Sequence, residues 1–192
     1  MNQFIIIFLG MALINNIVLV RYLGLCPFFG VSKKLGPAFS MGMATTFVMI
    51  IAAAVTWPIN RYILIPFDVR YMELVIFILV VASVVQITEL FIKRTNATLY
   101  NSFGIYLALI TTNCAVFYLT LWNSLYDYSF LASITSAIGA GAGFTLALVL
   151  MSSIRERLDI ADCPKPMRGV PIAFITAMML SLALLGFGGM LI

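Results

Sequence analysis

Three cysteines and a few amide and hydroxyl side chains are the residues of this chain that could do chemistry. Among 192 residues there is no histidine and no HExxH, Walker or GxGxxG pattern. Zinc hydrolysis, nucleotide cradling and imidazole acid–base catalysis therefore have nothing to stand on. Cys26 lies in Leu23-Gly24-Leu25-Cys26-Pro27-Phe28-Phe29-Gly30. Proline has no N–H and pushes the residue before it off helical angles, and the flanking glycines ease irregular backbone, so a break is expected near Cys26. Cys114 follows Thr111-Thr112-Asn113 in the middle of an apolar run, where such side chains can satisfy backbone groups freed by local unwinding. Taken singly, each cysteine reads as small apolar filler. Taken together, each sits in the most helix-disrupting, most polar patch of its segment, which moves the reading away from filler. A disulfide between them is disfavoured in a reduced interior. Cys163, in Ala161-Asp162-Cys163-Pro164-Lys165, reads as incidental, with a surface thiol activated by Lys165 and Arg168 as the second reading.

The segments that carry these residues belong in a bilayer. A composition that is 63% hydrophobic and 9% charged, with mean hydropathy +1.11, cannot coat a water-soluble globule. The basic residues are scattered, which argues against a nucleic-acid partner. Six predominantly apolar stretches approach the length that crosses the hydrocarbon layer: Phe4 to Leu25, Leu35 to Ile59, Leu74 to Ile92, Leu99 to Leu121, Phe130 to Ile154 and Val170 to Ile192. The first lacks a basic start and a cleavage site, so it is expected to remain in the mature chain. With six spans, Lys33, Lys34, Lys93, Arg94, Arg155, Arg157, Lys165 and Arg168 fall on one side, against Arg61 and Arg70 on the other. The positive-inside rule makes the first side cytoplasmic and puts both termini outside. Trp57, Tyr62, Tyr71, Trp122, Tyr126 and Tyr128 fall at the outer boundary, where amphipathic rings favour the headgroup layer.

Ala-Leu-Ile-Asn-Asn at residues 12–16 is echoed by Ala-Leu-Ile-Thr-Thr at 108–112, half the chain further on, and Ser40 to Phe47 is echoed by Ala137 to Phe144. A duplication into pseudo-repeats of about 1–96 and 97–192 within one transmembrane domain explains both. Three spans per half insert the second copy upside down, giving an inverted 3+3 repeat that puts functional sites mid-bilayer on corresponding broken helices. Spans one and four, the carriers of Cys26 and Cys114, are the expected broken pair. A small secondary transporter or channel is built the same way. In that reading Asn15, Asn16, Thr111, Thr112 and Asn113 hold a solute and the cysteines are filler.

The stretch from Leu23 to Lys34 together with Leu109 to Val116 resembles the Rnf/Nqr membrane-subunit family of ion-translocating ferredoxin:NAD oxidoreductases, in its A-type rather than its E-type branch. The similarity extends over essentially the whole chain, including Ile154 to Leu158. The resemblance implies a redox-driven ion translocase in a bacterial or archaeal cytoplasmic (inner) membrane. It further implies that two cysteines of this chain, Cys26 and Cys114, and two of a homologous E-type subunit hold one [2Fe-2S] cluster. Gly24, Pro27, Thr112 and Asn113 then lie around the ligands. The B, C, D and G subunits of Rnf, ferredoxin, NAD and transport of Na+ or H+ follow from the resemblance alone. The residues agree on one point: such a cluster takes four thiolates, so a chain with two well-placed cysteines needs a partner. Metal-bound thiolates also survive in hydrocarbon where bare ones cannot. Without a nucleotide fingerprint, this chain is expected to bind no NAD or flavin itself.

Glu89, four residues before Lys93, reads first as an ion pair or a side chain reaching the interface, and second as an ion-pathway carboxylate. Arg21, if the first helix continues, sits near the inner boundary beside Cys26, meeting phosphate headgroups or lending positive potential to the cluster region. Gly139, Gly141 and Gly143 contain a GxxxG and read as a helix-packing face. Lys33-Lys34 and the Arg155 to Arg168 segment set topology, with docking of a soluble redox protein as a secondary use.

Overall fold

The computed structural model describes residues 2–32, 35–65, 70–95, 113–160 and 169–188. These form seven α-helices and no strand: α1 (Asn2–Leu9), α2 (Leu25–Val31), α3 (Leu35–Ile59), α4 (Glu73–Thr95), α5 (Cys114–Leu125), α6 (Phe130–Ile160) and α7 (Val170–Gly188). One π-helical turn, Gly10–Ile14, extends α1, and another, Asn60–Leu64, extends α3. Pro58 lies just before the second. It removes the helical N–H that would bond the Ala54 carbonyl one turn upstream. Two stretches, Leu35–Leu64 and Phe130–Leu158, are each long and apolar enough to cross a membrane.

Helices α3 and α6 form the central pair and run antiparallel. A β-carbon at Gly42 would fall 2.6 to 2.9 Å from Thr145 side-chain atoms, and one at Gly141 would fall 2.4 to 2.8 Å from those of Thr46. The contacts are reciprocal: each helix offers a glycine and, four residues later, a threonine to its mirror image. Both threonine hydroxyls turn back on their own helices, Thr46 to the Gly42 carbonyl at 2.7 Å and Thr145 to the Gly141 carbonyl at 2.8 Å. Small residues let the backbones approach, which is how helices associate where no hydrophobic drive separates lipid from protein.

On α6, Gly139 and Gly143 admit the backbone of the first segment in the same way. A side chain at either would strike Phe8 or Ala12 main-chain atoms. The GxxxG reading of this run as a packing face agrees with those contacts.

The outer helices bury only one stripe each. Phe77, Val81 and Val85 of α4 and Ala173, Ala177 and Ser181 of α7 face inward at four-residue spacing. Leu74, Val75, Ile78, Leu79 and Ile87 of α4, and Phe174, Met178, Leu182 and Leu185 of α7, are exposed. Apolar surface this continuous is untenable in water and ordinary against lipid or a neighbouring protein in the membrane.

Candidate functional site

The first apolar stretch does not continue as a helix. After Ile14 the chain runs irregularly to Gly24 and becomes helical again at Leu25. Asn16, 1% exposed, organises the interruption. Its Oδ1 accepts from the Val18 and Leu19 N–H groups at 3.1 and 3.3 Å, while its Nδ2 donates to the Ala12 carbonyl at 3.2 Å and to the Gly143 carbonyl of α6 at 2.9 Å. Ser181 of α7 donates to the Leu19 carbonyl at 2.6 Å and is itself 2.7 Å from the Tyr22 hydroxyl. Ile17, Val18 and Leu19 are almost fully buried, so each of these bonds satisfies a polar group that hydrocarbon could not.

The interruption differs from the one expected around Cys26. It is longer and lies earlier, and Cys26 itself is in the first turn of α2, with Pro27 following it. Proline within the first turn forfeits no hydrogen bond, because those N–H groups have no partner inside the helix. The left-handed backbone is instead at Tyr22 and Gly24, with φ of 57° and 81°.

Helix α5 begins abruptly. Asn113 caps it, with Oδ1 accepting from the Ala115 N–H at 3.1 Å, and Cys114 is the first helical residue. The Asn16 and Asn113 turns match, each asparagine accepting from the N–H two residues on, 97 residues apart in the chain. On a 97-residue register Cys114 falls opposite Ile17, so such a register does not pair the two cysteines.

Gly24 joins the segments. Its N–H donates to the Cys114 sulfur at 3.0 Å. Two residues of chain separate Gly24 from Cys26, so the Cys26 Cα lies within about 12 Å of that sulfur. Cys114 is half-buried and Cys26 is exposed; both are free thiols. Among the described residues there is no group of three or more His, Cys, Asp or Glu side chains able to hold a metal. A β-carbon on Gly24 would come within 3.1 to 3.2 Å of Phe144, Ala115 and Asn113. Gly24→Ala is therefore expected to cost at least the ~1–2 kcal/mol of a left-handed Cβ, read as a lower unfolding midpoint in detergent. An unchanged midpoint would show that this backbone is not held.

Arg21 does not lie on a continuing first helix. Because the helix stops, its guanidinium lies 5.5 Å from the centre of the Trp122 ring, two turns beyond Cys114 on α5. It joins a connected group of rings: Trp122 neighbours Tyr118 and Tyr126, Tyr126 stacks on Tyr128, and the Trp57 indole donates to the Tyr128 carbonyl at 2.8 Å. Beside them lie two cavities of about 310 and 460 Å3 that share Asn60, Ile65, Ser124 and Asp127. Asn60 donates to Ser124, which donates to Glu73. No motif or spacing signals this chain of bonds, because its members lie far apart in sequence. Thr111, Thr112 and Cys163 lie outside the described residues, as do the side chains of Glu89 and Lys93.

An all-helical chain with outward apolar faces and an interior break whose polar groups are tied down is the build of a membrane subunit. Residues 4–191 match the family model described as Rnf-Nqr subunit, membrane protein. The chain belongs to the Rnf-Nqr family. It is 52% identical over 190 residues to the A subunit of the ion-translocating oxidoreductase complex of Serratia proteamaculans (strain 568), covering 99% of this chain and 98% of that one. The corresponding proteins of Photorhabdus laumondii and Yersinia pseudotuberculosis serotype O:1b are 51% and 50% identical over the same lengths.

Proposed function

We propose that this chain is the A-type membrane subunit of an ion-translocating oxidoreductase complex. It contributes Cys26 and Cys114 to a [2Fe-2S] cluster shared with a homologous E-type subunit, in an assembly that couples electron transfer between ferredoxin and NAD to Na+ or H+ transport. Family membership and relatives of the A type that match end to end support the complex. The observation that carries the cluster reading is the Gly24 N–H donated to the Cys114 sulfur. It ties the Cys26 segment to the Cys114 segment, and an N–H aimed at a thiolate is what a ligating sulfur uses to spread its charge.

The residues fit half of a cluster site. Two thiols stand in the first turns of helices tied together by the Gly24 to Cys114 bond, and the exposure of Cys26 leaves one side open for a partner's ligands. When bound, the cluster supplies one-electron transfer. This chain's own residues position the two sulfurs, donate the Gly24 N–H and keep water from Cys114 with Ala115, Val116 and Phe144, all buried. The Asn16 and Asn113 turns and the reciprocal α3–α6 glycines support an inverted repeat of six spans, and the linked rings support an outer boundary near Trp57 and Trp122. Asn16, one of the five solute residues of the transporter alternative, has its amide committed to backbone on both sides. Co-purification with the E-type subunit is the test. A brown pair with bound iron and a rhombic EPR signal on reduction is expected, and a colourless, iron-free pair overturns the reading.

A further inference from the structure

Two neighbouring charges near the far end of α6 meet two helix ends at once. Arg155 donates through Nη1 to the Phe29 carbonyl at 3.0 Å and to the Ser32 hydroxyl at 2.8 Å. Phe29 is in the last turn of α2, and Ser32, fully buried, is its C-terminal cap. The next residue, Glu156, accepts the Leu35 N–H at 3.2 Å, the first residue of α3. A cation thus meets the unpaired carbonyl end of one helix and an anion the unpaired N–H end of the next, matching the charge that each helix terminus presents.

Helix α6 therefore holds both sides of the broken segment. Upstream it packs Gly139 and Gly143 against Phe8 and Ala12 and accepts the Asn16 amide. Downstream, three turns later, it grips α2 through Arg155. Between those two anchors α2 is only seven residues long, too short to hold its own position as an isolated helix. Its other ties include the Gly24 to Cys114 bond, the stacking of Phe29 on Phe174 with ring centres 4.3 Å apart, and the burial of Pro27, Phe28 and Val31.

We propose that Arg155 is a positioning residue for Cys26: by capping α2 from α6 it fixes the thiol relative to Cys114. The role rests on the cluster reading for its purpose, not for its geometry. The two are separated by measuring both in membranes carrying the whole complex. One measurement is the reduced EPR signal of the complex as isolated. The other is crosslinking of Cys26 to Cys114 by a short bis-maleimide after iron is stripped under reducing conditions.

Arg155→Gln is expected to lower crosslinking on the order of tenfold, the worth of a charge-assisted bond to a partly buried carbonyl, and to weaken or broaden the EPR signal. Arg155→Lys is expected to recover part of both. Glu156→Gln, which touches α3 alone, is expected to leave crosslinking intact. Should Arg155→Gln fail to accumulate, Ser32→Ala decides, with a smaller drop expected. Unchanged crosslinking in Arg155→Gln, or in Ser32→Ala where that variant decides, overturns the role, as does an equal loss in Glu156→Gln. Crosslinking that depends on Arg155 in a complex without any iron signal would keep the positioning role and sink the cluster.

Discussion

Cys114→Ser is expected to remove the iron and the reduced EPR signal from the co-purified subunit pair while leaving its unfolding midpoint within about 1 kcal/mol of the parent. The separation follows from geometry. A serine hydroxyl in the first turn of α5 still accepts the Gly24 N–H that the sulfur accepts at 3.0 Å, so the tie between the two segments survives. What is lost is a soft, anionic ligand for iron, and serine oxygen is a poor substitute in a thiolate cage. Cys26→Ser is expected to act in the same direction with even less effect on folding, because Cys26 is exposed. Electron transfer through the complex should fall by roughly 100-fold or more in either variant, beyond what loss of an outer hydrogen bond produces. Retention of iron and electron transfer in both variants would falsify the assignment of these sulfurs.

The largest effect on stability is expected at Asn16→Leu. Leucine fills a similar volume but gives up every polar contact of a side chain that is 1% exposed. The Val18 and Leu19 N–H groups and the Gly143 carbonyl lose partners together. Orphaned buried groups cost about 1–3 kcal/mol each, so a loss on the order of 4 kcal/mol is expected, a large share of a typical folding stability of ~5–15 kcal/mol. The measurement is accumulation of the variant in membranes and its midpoint in detergent, both of which should fall sharply. A variant as stable as the parent would mean that water reaches the interruption and satisfies it.

How far the sequence can be read depends on whether a feature is local. The apolar stretch from Leu35 to Ile59 coincides with α3, and the one starting at Phe130 with α6, because length and hydropathy alone specify a helix in lipid. The backbone irregularity before Cys26 is also legible, but Pro27 points to the wrong residues. The side chain that organises the interruption is Asn16, ten residues earlier, whose partner Gly143 lies on α6. Nothing local to either residue signals that pairing. The expectation for Arg21 assumes a continuing helix; the chain departs from one after Ile14, and the guanidinium lies over Trp122. The duplication is an expectation carried by short apolar words, which align equally well at neighbouring registers. The Asn16 and Asn113 turns keep the 97-residue offset, whereas Gly42 and Gly141, the glycines that meet threonines across α3 and α6, are 99 residues apart. Arg155 reads as a topology signal because its acceptors, Phe29 and Ser32, lie on a distant part of the chain.

The interlocked glycines and threonines of α3 and α6 also limit how this protein can move. Neither rod can slide or spin against the other without driving a threonine methyl into main chain, and close-packed interiors yield in discrete jumps rather than by gradual deformation. The central pair is thus an axle. Displacement within this subunit therefore falls to the shorter pieces packed around that pair, among them the seven-residue α2 with its exposed thiol.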